Sequence, residues 1–415
     1  FRCFAKNATN MGHTSLVYIL FLSSFEFFPI IEAFQRSPND PLLLVQVVIR
    51  HADRAGMSGW ATDKSESVFF RGFGELSDDG IDNAYKQGED FRKRYVDTGF
   101  VDARFLPNQV TVRSSSVNRV LMSATSFTSA LFNKTDNGHD RIPPIITSYP
   151  SEEDPLLVPP IDCLDGWDDV IAKYNLSTPT ATDVRPIGQP TNQHSQALIK
   201  MMKTEYPVDC ADVPEMLIES VVAEMPNKKI SMPPAYVKCA QGGAKKLMFD
   251  YIGMLAGAGP NYNKDRLKRT AGMLMGVMLD NMAKVMNCST NATCEEPKMR
   301  IYFTHDITVM AVSQIMGAIS LFNEKTPAFS AAIVIELRNS PFGPYVSVFL
   351  KNGQDAPFLE TDGCSKTNCT LDSIIEATKE FAIRDKPHCR KTDNSASVYF
   401  SSLLFIVLAV LLRLD

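Results

Sequence analysis

The sequence has no excess of positive charge. Its 42 Lys and Arg residues are outnumbered by 47 Asp and Glu residues, which gives a net charge of −5 and a pI of about 5.8. A domain that binds nucleic acid needs a strongly basic face, so this charge balance argues against a nucleic-acid partner. A local basic site in an acidic protein would instead suit a small anion.

Zinc-binding patterns are absent as well, because none of the nine cysteines is part of a Cys-x-x-Cys spacing. If Cys3 is removed with an N-terminal signal, eight cysteines remain, and an even number in a secreted chain indicates disulfides. The shortest loops favour the pairs Cys288–Cys294 and Cys364–Cys369. A glycoprotein of the secretory pathway is also indicated by the five Asn-x-Ser/Thr sequons that follow the predicted signal peptide, at Asn133, Asn175, Asn287, Asn291 and Asn368.

The chain also lacks an unbroken apolar run of the ~20 residues that a membrane-spanning helix needs. Polar residues interrupt the first apolar stretch, and residues 1–33 are predicted to be a signal peptide, with a retained anchor as the alternative. The last apolar stretch, residues 398–412, is short for a spanning helix and resembles the removable tail of a lipid-anchor signal. The tail 391–415 is therefore predicted to attach the protein to a membrane by one of these routes, at the extracellular face or in the lysosome.

What the sequence does contain is a buried strand that ends in charged residues. Residues 42–49 form a run that is apolar apart from Gln46, which is typical of a strand buried on both faces of a parallel sheet. Arg50, His51 and Arg54 follow it directly. In open α/β sheets the ligand crevice lies beyond the carboxyl ends of the strands, so this is where chemistry is expected. A turn with solvated charges is the alternative interpretation.

The same arrangement recurs at two further strand ends. A strand over residues 109–112 ends in Arg113 and runs into a serine-rich helix start, where backbone N–H groups attract anions. A strand over residues 299–304 ends in His305 and Asp306. Capping or a surface ion pair would also explain Arg113. If one sheet edge gathers all three ends, the guanidinium forks of three arginines suit a phosphate or a sulfate.

The order of the elements predicts an α/β fold with a mixed, mostly parallel sheet flanked by helices. Amphipathic helices follow the first two strands, and a late hairpin over residues 331–350 adds antiparallel strands. Residues 151–295 contain helical patterns and proline-bearing loops, so they are predicted to be a mostly helical cap domain. This cap is inserted between the two parts of the α/β domain, residues 34–150 and 296–390.

Taken together, these motifs resemble the histidine acid phosphatase family, in particular its animal prostatic and lysosomal type. The resemblance runs from about residue 42 to residue 390 and rests on motifs in order: Arg50-His51-Ala52-Asp53-Arg54, Gly72-Phe73-Gly74-Glu75-Leu76, Arg92-Lys93-Arg94-Tyr95, Arg113 to Ala124, and His305-Asp306. It implies hydrolysis of phosphate monoesters at acidic pH, without a metal or another cofactor. Dimers are common in this family, so it also suggests a homodimer.

The resemblance also implies a role for each residue of the site. His51 matches the nucleophile that becomes a phosphohistidine, and Asp306 matches the proton donor to the leaving alcohol. The phosphate ligands that it implies are Arg50, Arg54, Arg113 and His305. In a loose phosphoryl-transfer transition state such groups position the reactants and offset charge on the equatorial oxygens.

Two positions depart from the family pattern Arg-His-Gly-x-Arg-x-Pro, namely Ala52 and Gly56. Alanine resists a positive φ, so a turn that needs one would be strained, and glycine loosens the loop that a proline would stiffen. The alternative function is therefore a catalytically impaired, membrane-tethered glycoprotein that binds phosphorylated ligands. A phosphomutase of the same superfamily is a third hypothesis, against which the secretory features argue.

Overall fold

The computed structural model describes residues 39–60, 64–132, 144–160, 166–176, 192–205, 210, 213, 215–224, 230–289, 295–361 and 369–387. Its strands, in chain order, are β1 (Leu42–Arg50), β2 (Val110–Ser114), β3 (Ile146–Thr147), β4 (Met299–Thr304), β5 (Ala332–Ser340), β6 (Gly343–Lys351) and β7 (Leu359–Glu360). Its helices are α1 (Asp78–Phe91), α2 (Asn118–Leu131), α3 (Asp168–Tyr174), α4 (Asn192–Glu205), α5 (Glu215–Glu224), α6 (Pro234–Gly242), α7 (Ala244–Ala256), α8 (Lys264–Ser289), α9 (Asp306–Ile315) and α10 (Leu371–Thr378).

The described strands form one mixed sheet in the order β3-β2-β4-β1-β5-β6-β7. Three pairings are parallel and join β1, β2, β3 and β4, whereas β5, β6 and β7 add antiparallel pairings at the other side. This confirms the predicted mixed sheet and confines its parallel part to one half. Arg50 of β1 lies opposite Thr304 of β4, and Ser114 of β2 lies opposite Phe303. The carboxyl ends of β1, β2 and β4 therefore share one edge.

Strand β1 is central because it is apolar on both faces. Val45, Val47 and Ile49 belong to the core beneath α1 and α2, while Leu44 and Val48 belong to the core on the opposite face. Burial of each such side chain contributes about 1.5–3 kcal/mol. The strand that carries the candidate site is thus anchored from both sides.

Helices α1 and α2 approach each other closely at a glycine. A Cβ at Gly88 would lie 2.2 Å from the backbone oxygen of Phe127, so only glycine permits this contact. On the opposite face, α8 packs beneath the sheet, and Gln46 of β1 donates a hydrogen bond to the carbonyl of Met278 at 2.9 Å. Helix α8 was predicted to be part of the cap, but it belongs to the layer of helices that covers this face of the sheet. The boundaries of the cap domain stay predictions.

A disulfide joins Cys210 to Cys239 and so ties the segment before α5 to α6. Cys288 and Cys369 are disulfide-bonded too, and their predicted partners, Cys294 and Cys364, lie outside the described residues. The predicted signal peptide and C-terminal tail also lie outside them. Within the described part of the chain, no helix has the length and apolar character needed to cross a membrane.

Candidate active site

The ends of β1 and β4 bring two histidines together. The backbone N–H of His51 donates to the carbonyl of Thr304 at 3.0 Å, which locks the turn after β1 to the end of β4. His305 is the N-cap residue of α9, with extended backbone angles, and Asp306 is the first residue of that helix. The two imidazole rings meet edge to face, with their centroids 5.9 Å apart. The parallel pairing of β1 with β4 therefore brings His51 and His305 together.

The hydrogen bond that His51 makes determines which ring nitrogen is free to react. Its Nδ1 lies 2.9 Å from the carbonyl oxygen of Ala52. A carbonyl oxygen only accepts, so Nδ1 carries the proton and Nε2 keeps its lone pair. Burial, followed by the charges of Arg119 and Arg50, holds the pKa of His51 well below its ordinary 6.5. The imidazole is therefore neutral, in the form that a nucleophile needs.

His305 is neutral for the same reasons. Burial and then the charge of Arg119 lower its pKa to about 3, although Asp306 acts in the opposite direction. Its Nε2 lies 3.2 Å from the hydroxyl oxygen of Ser115, which follows β2. This hydroxyl orients the second histidine from a third strand end.

Arg50 and Asp306 form an ion pair beside His51. Arg50 Nη2 lies 2.8 Å from Asp306 Oδ2, and Arg50 Nη1 donates to the carbonyl of Pro327 at 2.6 Å. Burial would raise the pKa of Asp306, but the positive charges of Arg50 and Arg54 and the hydrogen bond from the N–H of Ile307 outweigh it and lower that pKa. The group is a carboxylate in the state that the structure shows.

Arg54 is buried and bound to a carboxylate that the sequence did not indicate. Its Nη2 donates to Glu219 Oε1 at 2.5 Å, and its Nη1 donates to the carbonyl of Ala55 at 2.8 Å. Glu219 lies on α5 and also accepts the backbone N–H of Met57 at 3.3 Å. Helix α5 is remote in the sequence, so no local pattern could have identified this contact.

Arg119 is a further arginine of the site that sequence reasoning missed. It lies in the first turn of α2, and its Nη1 donates to the carbonyl of Gly74 at 3.3 Å. Burial and the nearby charge of Arg54 lower its pKa to about 10. After burial, it is the largest influence on the pKa of both histidines. Ser123, one turn further along α2, accepts the backbone N–H of Ala52 with its hydroxyl, a contact that no local sequence pattern indicates.

Arg113 is placed differently from the other predicted residues. Its Nη2 donates to the buried carboxylate of Asp154 at 2.5 Å, and its guanidinium lies 4.7 Å from the ring centroid of Tyr149. It is not among the charges that act most strongly on His51 or His305. The structure thus brings together five of the six predicted residues, and Arg113 forms an ion pair with a buried carboxylate instead of the surface pair that was its alternative interpretation.

The turn at Ala52 needs no positive φ. The non-glycine residues of the described chain that have one are Phe105, Asn175, Asn323, Glu324 and Ser330. Ala52 is buried, and its N–H donates to the Ser123 hydroxyl at 3.0 Å, so the strain considered for an alanine here is not found. The carbonyl of Gly56 accepts the N–H of Gly74 at 2.8 Å, which holds the loop that follows.

The arginines around His51 keep unused donors. The Nε atoms of Arg50, Arg54 and Arg119 are buried and have no hydrogen-bond partner in the described structure. Buried donors are normally satisfied, so several of them around one histidine point to an anion with many acceptor oxygens. A phosphoryl group has this chemistry.

Comparison with known proteins agrees with this geometry. A model of the histidine phosphatase superfamily (branch 2) matches residues 42–350. Putative acid phosphatase 1 of Caenorhabditis elegans is 25% identical over 402 residues, which cover 91% of this chain and 90% of that protein. Prostatic acid phosphatase of Homo sapiens is 25% identical over 353 residues, which cover 81% of this chain and 84% of that protein.

Among solved structures, the apo form of a Hafnia alvei phytase shares the fold, with a TM-score of 0.53 at 15% identity. The superposition covers 84% of this chain and 98% of that one. The family predicted from the motifs is confirmed by the match over residues 42–350, which includes both site histidines. The chain therefore belongs to the histidine phosphatase superfamily (branch 2), and it is a phosphatase enzyme.

Proposed function

We propose that the protein hydrolyses phosphate monoesters at acidic pH through a phosphohistidine on His51, with Asp306 as the proton donor. One observation carries the proposal: a neutral imidazole with a free Nε2 lies among three arginines whose buried Nε donors have no hydrogen-bond partner in the described structure. The family membership and the relatives named acid phosphatases support it.

In the first step, Arg50, Arg54 and Arg119 bind the oxygens of the phosphoryl group, and His305 provides a further contact. His51 Nε2 attacks phosphorus, so that an N–P bond forms while the P–O bond to the alcohol breaks. Because the transition state is loose, the protein contributes mainly position and positive charge. In this proposal Arg119 takes the role that the family resemblance implied for Arg113.

Asp306 must be protonated before it can donate a proton to the leaving alcohol, although it is a carboxylate beside Arg50 in this structure. A bound phosphate would compete for Arg50 and would add negative charge near Asp306. Both effects raise the pKa of a carboxyl group, so substrate binding favours proton uptake. In the second step, a water molecule that gives a proton to Asp306 attacks phosphorus, the N–P bond to His51 breaks, and inorganic phosphate is released.

Asp306→Asn is expected to slow the hydrolysis of phosphate esters that have poor leaving groups far more than the hydrolysis of p-nitrophenyl phosphate. An alkoxide leaves only with a proton, whereas p-nitrophenolate is stable, and positioned acids contribute about 10²–10⁴-fold. The measurement compares kcat for p-nitrophenyl phosphate and for an alkyl phosphate in both proteins. Equal losses for the two esters would rule out Asp306 as the donor.

The pH profile is expected to lack an acid limb with an apparent pKa near 6.5. His51 is neutral in the folded protein well below that pH, so protonation does not remove the nucleophile as the pH falls from 7 to 5. As the pH rises, Asp306 loses its proton in the complex and activity declines. A profile of kcat/KM that falls below pH 6.5 would contradict a neutral, buried His51.

Turnover tests the proposed function directly. The full chain is expected to hydrolyse p-nitrophenyl phosphate near pH 5, because acidity favours the proton uptake by Asp306 that substrate binding promotes. A folded protein that binds inorganic phosphate without turnover would instead be a ligand-binding glycoprotein.

The disulfide between Cys210 and Cys239 supports passage through an oxidising compartment. Relatives named lysosomal acid phosphatase, such as that of Rattus norvegicus at 24% identity, agree with a secretory or lysosomal location. Membrane attachment through the C-terminal tail, glycosylation and a homodimer remain predictions from the sequence.

A further inference from the structure

A short segment before β5 contacts two residues of the site at several points. Arg50 donates to the carbonyl of Pro327 at 2.6 Å, and the N–H of Ser330 donates to the carbonyl of His51 at 3.1 Å. Between these contacts, the Phe329 ring lies 4.4 Å from the guanidinium carbon of Arg50. The same ring lies 5.7 Å from the His51 ring, centroid to centroid, at an angle of 43°.

The backbone of this segment is held in an uncommon conformation. Ser330 has a φ of +60°, which a residue with a side chain rarely adopts, and it is almost completely buried. The buried amide of Gln87 donates to its carbonyl at 2.6 Å, and its own N–H is held by His51. Such a strained conformation persists only where several surrounding contacts fix the backbone, and it is frequent at functional sites.

We propose that Phe329 is a positioning residue, which keeps the His51 imidazole and the Arg50 guanidinium in fixed relative positions during phosphoryl transfer. The inference rests on the proposed function. The contact between the ring face and Arg50 depends on the charge of the arginine, which does not titrate, whereas the ion pair with Asp306 weakens when Asp306 takes up its proton. Phe329 and the Pro327 carbonyl therefore keep Arg50 in place throughout the cycle.

Substitutions of Phe329 distinguish the contribution of its aromatic ring from that of its volume. Phe329→Ala and Phe329→Leu both remove the aromatic face, and Phe329→Tyr keeps it. For both non-aromatic variants we expect kcat for p-nitrophenyl phosphate to fall about 10- to 100-fold, because misalignment of a nucleophile is costly. KM and the inhibition constant of inorganic phosphate should change less than about threefold, because Arg54 and Arg119 still bind the phosphoryl group. Phe329→Tyr should restore kcat.

Thermal unfolding of each variant shows whether the fold is intact, and Phe329→Leu decides the question if Phe329→Ala fails to fold. Phe342→Ala, on an exposed aromatic residue of the turn between β5 and β6, is the matched control and should leave kcat unchanged. A folded Phe329→Leu protein with wild-type kcat, or a loss confined to KM, would overturn the inference. If wild-type protein showed no turnover at all, the proposed function itself would fail instead.

Discussion

His51→Ala is expected to lower kcat for p-nitrophenyl phosphate by at least about 10⁴-fold, because the covalent intermediate cannot form without its nucleophile. The remaining arginines would still bind the phosphoryl group, but water would have to attack phosphorus directly. Steady-state turnover near the pH optimum of the wild-type protein is the measurement.

The same variant should retain its affinity for inorganic phosphate to within about tenfold, because Arg50, Arg54 and Arg119 provide most of the binding contacts. Phosphate protection against thermal unfolding reports this affinity and also shows that the fold is intact. A folded His51→Ala protein that keeps more than a tenth of wild-type kcat would exclude His51 as the nucleophile.

Arg119→Ala is expected to lower kcat/KM about 10²–10³-fold, which is the usual cost of removing one preorganised donor from a developing oxyanion. Its loss should also raise the pKa of His51, because Arg119 is the largest of the charges that lower it. The acid side of the kcat/KM profile should therefore move to higher pH.

Arg113→Ala is the matched control, since both arginines lie near the junction of β2 and α2. Its guanidinium pairs with Asp154, so we expect kcat/KM to stay within about tenfold of the wild-type value. The free energy of unfolding should fall by about 1–3 kcal/mol, because the buried carboxylate of Asp154 loses its partner. If Arg113→Ala abolished activity while Arg119→Ala retained it, the third phosphate arginine would be Arg113.

The sheet and the two histidines could be predicted because their signals are local. An apolar run buried on both faces predicts a central strand, and parallel strands place their carboxyl ends at one edge whatever the rest of the chain does. His51, Arg50 and Arg54 follow one such strand, and His305 and Asp306 follow the other. Their meeting depends only on the parallel pairing of β1 with β4.

The choice between Arg113 and Arg119 needed the orientation of α2. Arg113 lies on β2 and Arg119 on α2, and the rotation of the helix about its axis brings the guanidinium of Arg119 towards His51. Glu219 and Phe329 were beyond sequence reasoning for another reason: each comes from a segment far along the chain, through packing that no local periodicity encodes. The absence of strain at Ala52 likewise depends on its backbone φ angle, which the neighbouring residues in the sequence do not determine.

Capture of the covalent intermediate tests the central claim most directly. Full-length protein is mixed with an excess of p-nitrophenyl phosphate labelled in its phosphoryl group, quenched in alkali within a turnover, digested, and analysed for the labelled peptide. We predict one phosphoryl group per active site, stable to alkali and lost in mild acid, on the peptide that contains His51, and no label in His51→Ala. Label on another residue, or full turnover with no phosphohistidine at His51, would contradict the proposed mechanism.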